Sequence, residues 1–151
     1  APLPDGSDLG FVGEIEKINA DFLLKLISND VIPVISSIGA DKDGKSYNLN
    51  ADTAASAIAA ALAAEKLIYL TDVDGLKNKD GKLISEISVK EILSLIDSGV
   101  ITGGMIPKVR ACIEGVESGI SRTHIINGTV KHPILLEIFT DTGIGTMVTK
   151  D

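Results

Sequence analysis

Two acids and one base, far apart along the chain, carry the chemistry this sequence could perform. Asp52 opens an alanine-rich run, preceded by Asn48 and Asn50. Asp72, with Asp74 behind it, follows the apolar run Leu67 to Leu70, and Lys108 lies shortly after Gly103 and Gly104. A glycine pair lets backbone approach a ligand, and a helix start offers N–H groups, so 103–108 reads as an anion site. The competing reading is a glycine turn followed by a surface lysine. The Walker pattern Gly-x-x-x-x-Gly-Lys-Ser/Thr is absent. Carboxylates just beyond an apolar strand suit ribose hydroxyls or a metal, although Asp-Gly also simply ends strands. Asn48 and Asn50 alternate along an extended approach, so both amides point to the side from which Asp52 is reached. That makes a ligand-orienting cluster, against the alternative of a hydrated turn and a helix cap worth about 1 kcal/mol.

The elements that must position these residues follow from periodicity and punctuation. Residues 11–18 mix apolar and charged side chains as a half-exposed strand would. Phe22, Leu23, Leu26 and Ile27 recur at helical spacing over 20–29, with Asn19 or Asp21 as cap. Residues 31–35 read as a strand in which Pro33 demands an edge, a bulge or an early position. Asp41 to Lys45 is a hairpin turn between short arms. A helix over 53–64 feeds a buried strand over 67–70, and 73–82 is a polar, exposed, turn-rich segment. Ser85 or Ser88 caps a helix running to about Ser98 that Gly99 stops. A second helix runs from Met105 to about Gly119, with Pro107 in its first turn. Residues 123–126 form a strand, Asn127-Gly128 a turn, 133–139 an apolar segment and 144–148 a closing strand. This alternation predicts an α/β fold, a three-layer αβα sandwich on a largely parallel sheet. Ligands of such sheets collect at strand carboxyl ends and helix N-termini, where Asp72 and Asp52 sit.

Composition narrows the function. The 151 residues are 44% hydrophobic but only 3% aromatic, so aliphatic side chains fill the core of what reads as one domain. A net charge of -7 without a polybasic cluster argues against a nucleic-acid partner. A lone Cys112 excludes an internal disulfide, and it reads as an inert core thiol. His124 and His132 lack the spacing of a zinc site. With neither a signal peptide nor a run of membrane-spanning length, a cytoplasmic, soluble protein with no membrane partner is the simplest reading. Residues 1–10 lack Met and read as a loop entry.

Five stretches, in order, carry a resemblance: Ile-Pro-Val-Ile-Ser-Ser-Ile-Gly (32–39), Tyr-Asn-Leu-Asn-Ala-Asp-Thr-Ala-Ala (47–55), Leu-Thr-Asp-Val-Asp-Gly-Leu (70–76), Thr-Gly-Gly-Met-Ile-Pro-Lys-Val (102–109) and Leu-Leu-Glu-Ile-Phe-Thr-Asp-Thr-Gly-Ile-Gly-Thr-Met (135–147). From about Leu9 to the end, the chain resembles the C-terminal lobe of the acetylglutamate kinases, within the amino acid kinase family. The resemblance implies phosphoryl transfer from ATP, with Mg2+ carried on the nucleotide, to the side-chain carboxylate of N-acetyl-L-glutamate in arginine biosynthesis. It implies that Asn48 binds the acylglutamate, that Asp52 holds catalytic lysines in place and that Lys108 stabilises the transferring phosphoryl group. It further implies that Asp72, Val73, Asp74, Gly75, Leu76 and Lys77, with Val100, Ile101 and Thr102, surround the nucleotide. His124, Glu137 and Gly143 match positions that meet the effector L-arginine in feedback-inhibited members. Glu137 suits a guanidinium, and its plainer alternative is a solvated carboxylate at a strand edge.

The family's N-terminal half supplies a glycine-rich loop, a phosphate-binding lysine, most of the acylglutamate pocket and the dimer contact, none of which these residues contain. The expectation is therefore a single nucleotide-binding lobe over 1–151 that binds ATP weakly and phosphorylates nothing by itself. Its missing partner would be the N-terminal lobe, in a full-length enzyme that forms a homo-oligomer. The central expectation is spatial, that Asp52, Lys108 and the tip of the strand before Asp72 close round one phosphate tail. Rival readings are another amino acid kinase acting on uridylate, aspartate or carbamate, and a non-catalytic module that senses arginine or nucleotide.

Overall fold

The computed structural model describes residues 9–150, so the expectation for 1–10 falls almost wholly outside the described residues. Contacts divide the chain into two compact units, one through Leu62 and one from Ala63 onward.

The first unit holds α1 (Ala20–Ile27), the strands β1 (Ile38–Ala40) and β2 (Ser46–Asn48), and α2 (Ala51–Ala61). Asn19 caps α1 by accepting a hydrogen bond from the Phe22 amide at 3.2 Å. The hairpin forms where its turn residues placed it, with Gly39 opposite Tyr47. Asp41 holds the turn, its Oδ1 accepting from the Asp43 and Lys45 amides at 2.9 and 3.0 Å. Those amides, Lys45 first, keep the Asp41 carboxyl below the usual range. Helix α2 begins two residues earlier than alanine content suggests, because Asn50 supplies the cap, and it ends before Ala63, which is left-handed at φ 48°.

Two expected strands are not formed. The run 11–18 contributes only a bridge from Val12 to Asn48, and 31–35 joins no strand among the described residues. Alternation reports which face of a segment would be buried, whereas a strand also needs a neighbour for its N–H and C=O groups. Among the described residues neither segment has one in full. Ile32 and Val34 are accordingly 87% and 97% exposed.

The second unit contains β3 (Lys66–Thr71), β4 (Glu86–Ser88), α3 (Val89–Asp97), α4 (Met105–Glu117), β5 (Arg122–Asn127), α5 (Pro133–Phe139) and β6 (Thr146–Thr149). Its sheet runs β3-β5-β6-β4, parallel between β3 and β5 and between β6 and β4, antiparallel between β5 and β6. This is the α/β arrangement on a mostly parallel, mixed sheet that the sequence predicts. Four consecutive residues of β5, Thr123 to Ile126, are buried. Successive side chains point to opposite faces, so both faces of that strand are covered. Helices α3 and α4 send Ile92, Val109, Cys112 and Val116 into the core, and Cys112 is fully buried as expected of an inert thiol.

Three readings of this unit change. Glu86–Ser88 is a short strand as well as a helix entry, because Ser88 ends β4 and caps α3 in a reciprocal box with Glu91. The apolar segment 133–139 is a helix with proline at its first turn. The polar stretch 73–82 is not uniformly exposed, since Gly75 and Leu76 are buried.

Candidate functional site

Parallel pairing sets Thr71 opposite Asn127, so the carboxyl ends of β3 and β5 finish side by side. Everything that follows β3 is therefore delivered to one edge of the sheet, where a parallel sheet offers its ligand site. The Thr71 hydroxyl donates to the Val73 carbonyl at 3.0 Å and accepts from the Val73 amide at 3.2 Å, closing a tight turn. The chain leaves that turn with Asp72 and Asp74 exposed and Leu76 inserted into the core.

An open cleft of about 420 Å³ lies beyond this edge, lined by 72–77, by 100–102 and by Met105. Every residue expected to surround a nucleotide lines it. Two segments more than twenty residues apart meet because Gly99 ends α3 and the Val100 and Ile101 amides fold back on the Leu95 carbonyl at 2.9 and 3.1 Å. Asp72, Lys77 and Asp74 contribute its charges, and Met105 is a lining residue that sequence reasoning missed.

Lys108 reaches the same edge from the first turns of α4. Its Nζ donates to Asp72 Oδ1 at 2.9 Å, the lysine side chain 28% exposed and the aspartate 84%. The hydrogen bond from Lys108 is the main reason the Asp72 carboxyl sits below the usual carboxylate range, with its own backbone amide helping. Asp74 is lowered chiefly by the Asn127 amide, which donates at 2.8 Å, and then by Lys77 at 3.4 Å. In sequence Asn127 reads only as a turn residue. Its signal was its position at the end of a strand neighbouring β3, legible only once the pairing is known. Both carboxylates are thus ionised and both cations partnered, so an incoming anion must share or displace Asp72 to reach Lys108.

The start of α4 is less generous to an anion than its glycines suggest. The Met105 and Ile106 amides donate back to the Thr102 and Gly103 carbonyls at 3.3 and 3.2 Å, and Pro107 has no N–H. Of the groups expected to meet an anion, the Lys108 ammonium is the one that reaches this edge.

Asp52, Asn48 and Asn50 belong to the first unit. Asn50 is spent on the cap, its Oδ1 accepting from the Thr53 amide at 3.0 Å and the Thr53 hydroxyl at 3.2 Å. Asp52 is exposed in the first turn of α2, and Asn48 is exposed at the end of β2. The same unit carries an apolar cleft of about 450 Å³, lined by Ile18, Phe22, Val34, Ile38 and Leu49 among others, which the sequence did not signal.

His124, Glu137 and Gly143 do come together, in the second unit. His124 Nδ1 lies 2.7 Å from Glu137 Oε1, both side chains only 7% exposed. Glu137 Oε2 accepts from the Ile144 and Gly145 amides at 2.7 and 3.2 Å. Glu137 is therefore a buried brace on α5, not a solvated carboxylate at a strand edge. Gly143 is left-handed at φ 62°, and a Cβ there would stand 2.7 Å from Glu137 Oε2. His124 Nε2 has no hydrogen-bond partner among the described residues. No group of three or more His, Cys, Asp or Glu side chains able to hold a metal occurs among the described residues.

Comparison with known proteins adds the following. Residues 2–127 match the model of the amino acid kinase family. The acetylglutamate kinase of Halothermothrix orenii is 53% identical over 147 residues, spanning 95% of this chain and 51% of that protein. The chain thus spans about half the length of the curated relatives it matches. Among solved structures, N-acetylglutamate synthase from Neisseria gonorrhoeae, complexed with coenzyme A and L-arginine, is similar with a TM-score of 0.90 at 32% identity, covering 100% of this chain and 36% of that one. Carbamate kinase from Giardia lamblia is similar with a TM-score of 0.67 at 29% identity, covering 91% of this chain and 45% of that one.

Proposed function

Because the chain belongs to the amino acid kinase family, we propose that its second unit is the nucleotide-binding part of a cytoplasmic phosphotransferase. Its donor substrate is ATP, with Mg2+ carried on the phosphates, and its acceptor is the side-chain carboxylate of N-acetyl-L-glutamate. The observation that carries this reading is the meeting of 72–77 and 100–102 round one cleft, with Lys108 ion-paired to Asp72 at its edge.

The chemistry asks little more of the protein. Transfer of a phosphoryl group between two anions needs positive charge on the phosphoryl oxygens and fixed geometry, not a protein nucleophile. An acceptor carboxylate is already ionised, so no general base is required. Lys108 supplies the charge, and Asp72 holds it against the strand end until phosphate competes for it. Asp74, fixed by Asn127, is a hydrogen-bond acceptor for ribose hydroxyls, and Ile101 with Met105 offers an apolar wall to a base. Asn48 is assigned to the acylglutamate and Asp52 to ordering the catalytic lysines, on resemblance and on the acetylglutamate kinase relatives.

The whole reaction is proposed for a protein of the relatives' length, a homo-oligomer containing the family's N-terminal lobe, and nucleotide binding alone for this chain. L-arginine is proposed as the effector at His124, Glu137 and Gly143, supported by their meeting at one place and by the arginine complex of the similar synthase. The test is ADP release from MgATP with N-acetyl-L-glutamate, L-aspartate, UMP or carbamate as acceptor, on this chain alone and with an N-terminal lobe restored. Release with N-acetyl-L-glutamate in the restored protein only is the expected result. Release with another acceptor, or ordinary kinase turnover by the chain alone, contradicts the proposal.

A further inference from the structure

Beyond the bond from Asn127 to Asp74, the loop that lines the cleft is tied to the sheet through a buried hydroxyl. The buried Leu76 amide donates to Thr146 Oγ1 at 2.8 Å, and the same hydroxyl donates to the Ile84 carbonyl at 2.7 Å. A single hydroxyl at the first residue of β6 thus holds both ends of the loop between Leu76 and Ile84, which the Ile84 amide also joins directly by donating to the Leu76 carbonyl at 2.8 Å. The fit is close. Gly75 has φ 140°, and a Cβ on it would stand 2.5 Å from Thr146 Oγ1 and 3.1 Å from the Thr146 amide. Thr146 is fully buried and Leu76 is 1% exposed, so water cannot replace either bond.

Thr146 is fixed by its pairing with Ile125 of β5 and by the residue pair before it. The Ile144 and Gly145 amides end on Glu137 Oε2, and Glu137 Oε1 is met by His124 from β5. Gly145 passes so near the Ile125 carbonyl that a side chain there would collide with it. The start of β6 therefore has one place to be, set on one side by β5 and on the other by a carboxylate. From His124 through Glu137, the Ile144 and Gly145 amides and Thr146 to Leu76, each link is a hydrogen bond or a peptide unit.

We propose that Thr146 is a positioning residue for the nucleotide cleft, and that Glu137 acts on the cleft through it. Neither side chain lines the cleft. The inference rests on the nucleotide reading of that cleft, and it makes the His124–Glu137 pair and the loop at 72–77 two ends of one polar relay. Anything that draws Glu137 Oε2 away from the Ile144 and Gly145 amides loosens the hold on Leu76 and weakens nucleotide binding.

The test is made on the full chain with Thr146→Val, Thr146→Ser and Glu137→Gln. Amide hydrogen exchange at Leu76 is read against Ile126 in β5, and MgADP affinity is read by calorimetry. Loss of a buried hydrogen bond is expected to speed Leu76 exchange about tenfold in Thr146→Val and weaken MgADP to a similar degree. Thr146→Ser should restore both, and Glu137→Gln should shift both in the same direction by a smaller factor, with Ile126 unchanged. Rescue by serine separates placement of the loop from general loss of packing. If Thr146→Val fails to fold, Glu137→Gln and Thr146→Ser still decide the matter. Unchanged Leu76 exchange in Glu137→Gln overturns the relay. Wild-type chain that binds no MgADP overturns the function instead, while the exchange arm continues to report on the relay.

Discussion

The two units of this chain draw on similar residues and bury them very differently. In the first, the buried hydrophobic residues among those described are Ala54 and Ala59, while Ile32, Val34 and Phe11 stand in the open. In the second, Ile92, Val109, Ile125, Ile126 and Val148 are closed from solvent, as are the polar Thr123 and Thr146. The contrast is one of partners. The second unit supplies its own neighbours for every strand, whereas the run 31–35 has the composition of a strand and no neighbour among the described residues. An apolar pattern states what a segment would bury, and the rest of the molecule decides whether it does.

Core and surface substitutions put the largest effect on this contrast. Ile125→Ala should destabilise the second unit by about 2–5 kcal/mol in urea unfolding, because a close-packed site cannot collapse round the missing atoms. Val34→Ala, at a residue with 97% of its surface exposed, should stay within about 0.5 kcal/mol of the parent. A large cost at Val34 would break the comparison.

Lys108→Ala comes next. Removing a charge-assisted contact to phosphate should weaken MgADP roughly 10- to 100-fold in a calorimetric titration, and an unchanged affinity would take Lys108 out of the site. Helix caps sharpen the comparison at a smaller scale. Asn50→Ala and Ser88→Ala each remove a capping acceptor and should each cost about 1 kcal/mol by thermal unfolding, the first in α2 and the second in α3. The smallest effect is with pH. Asp72 and Asp74 are held below the ordinary carboxylate range, so what their ionisation contributes is present above it and is lost only as pH falls through their lowered values. Between about pH 5 and 8 they should leave stability and MgADP affinity flat, and a midpoint near pH 6 removed by Asp72→Asn would contradict that.

Legibility followed local determinants. The hairpin at 41–45, the helices after Asn19, Ser88 and Gly104, and the strands β3 and β5 were readable because caps, turn residues and apolar runs are neighbours in sequence. Their side-by-side ending, and with it Asn127 beside Asp74, was not, since pairing joins residues 53 positions apart. The nucleotide segments were legible through resemblance, and the cleft they share with Met105 only through the fold. Glu137 was legible as a partner for a guanidinium, but its burial was not, because nothing in 135–147 announces that the chain doubles back to place two amides on it. Asn50 looked like part of a ligand cluster, although its type and spacing from Thr53 equally specified the cap it forms.

The most direct test of the account is hydrogen exchange along the whole chain with and without MgADP. Protection confined to 72–77 and 100–105, needing roughly 10- to 100-fold more MgADP in Lys108→Ala, is the predicted result. Protection at the apolar cleft around Phe22 and Val34, or none at 72–77 under saturating nucleotide, would contradict it.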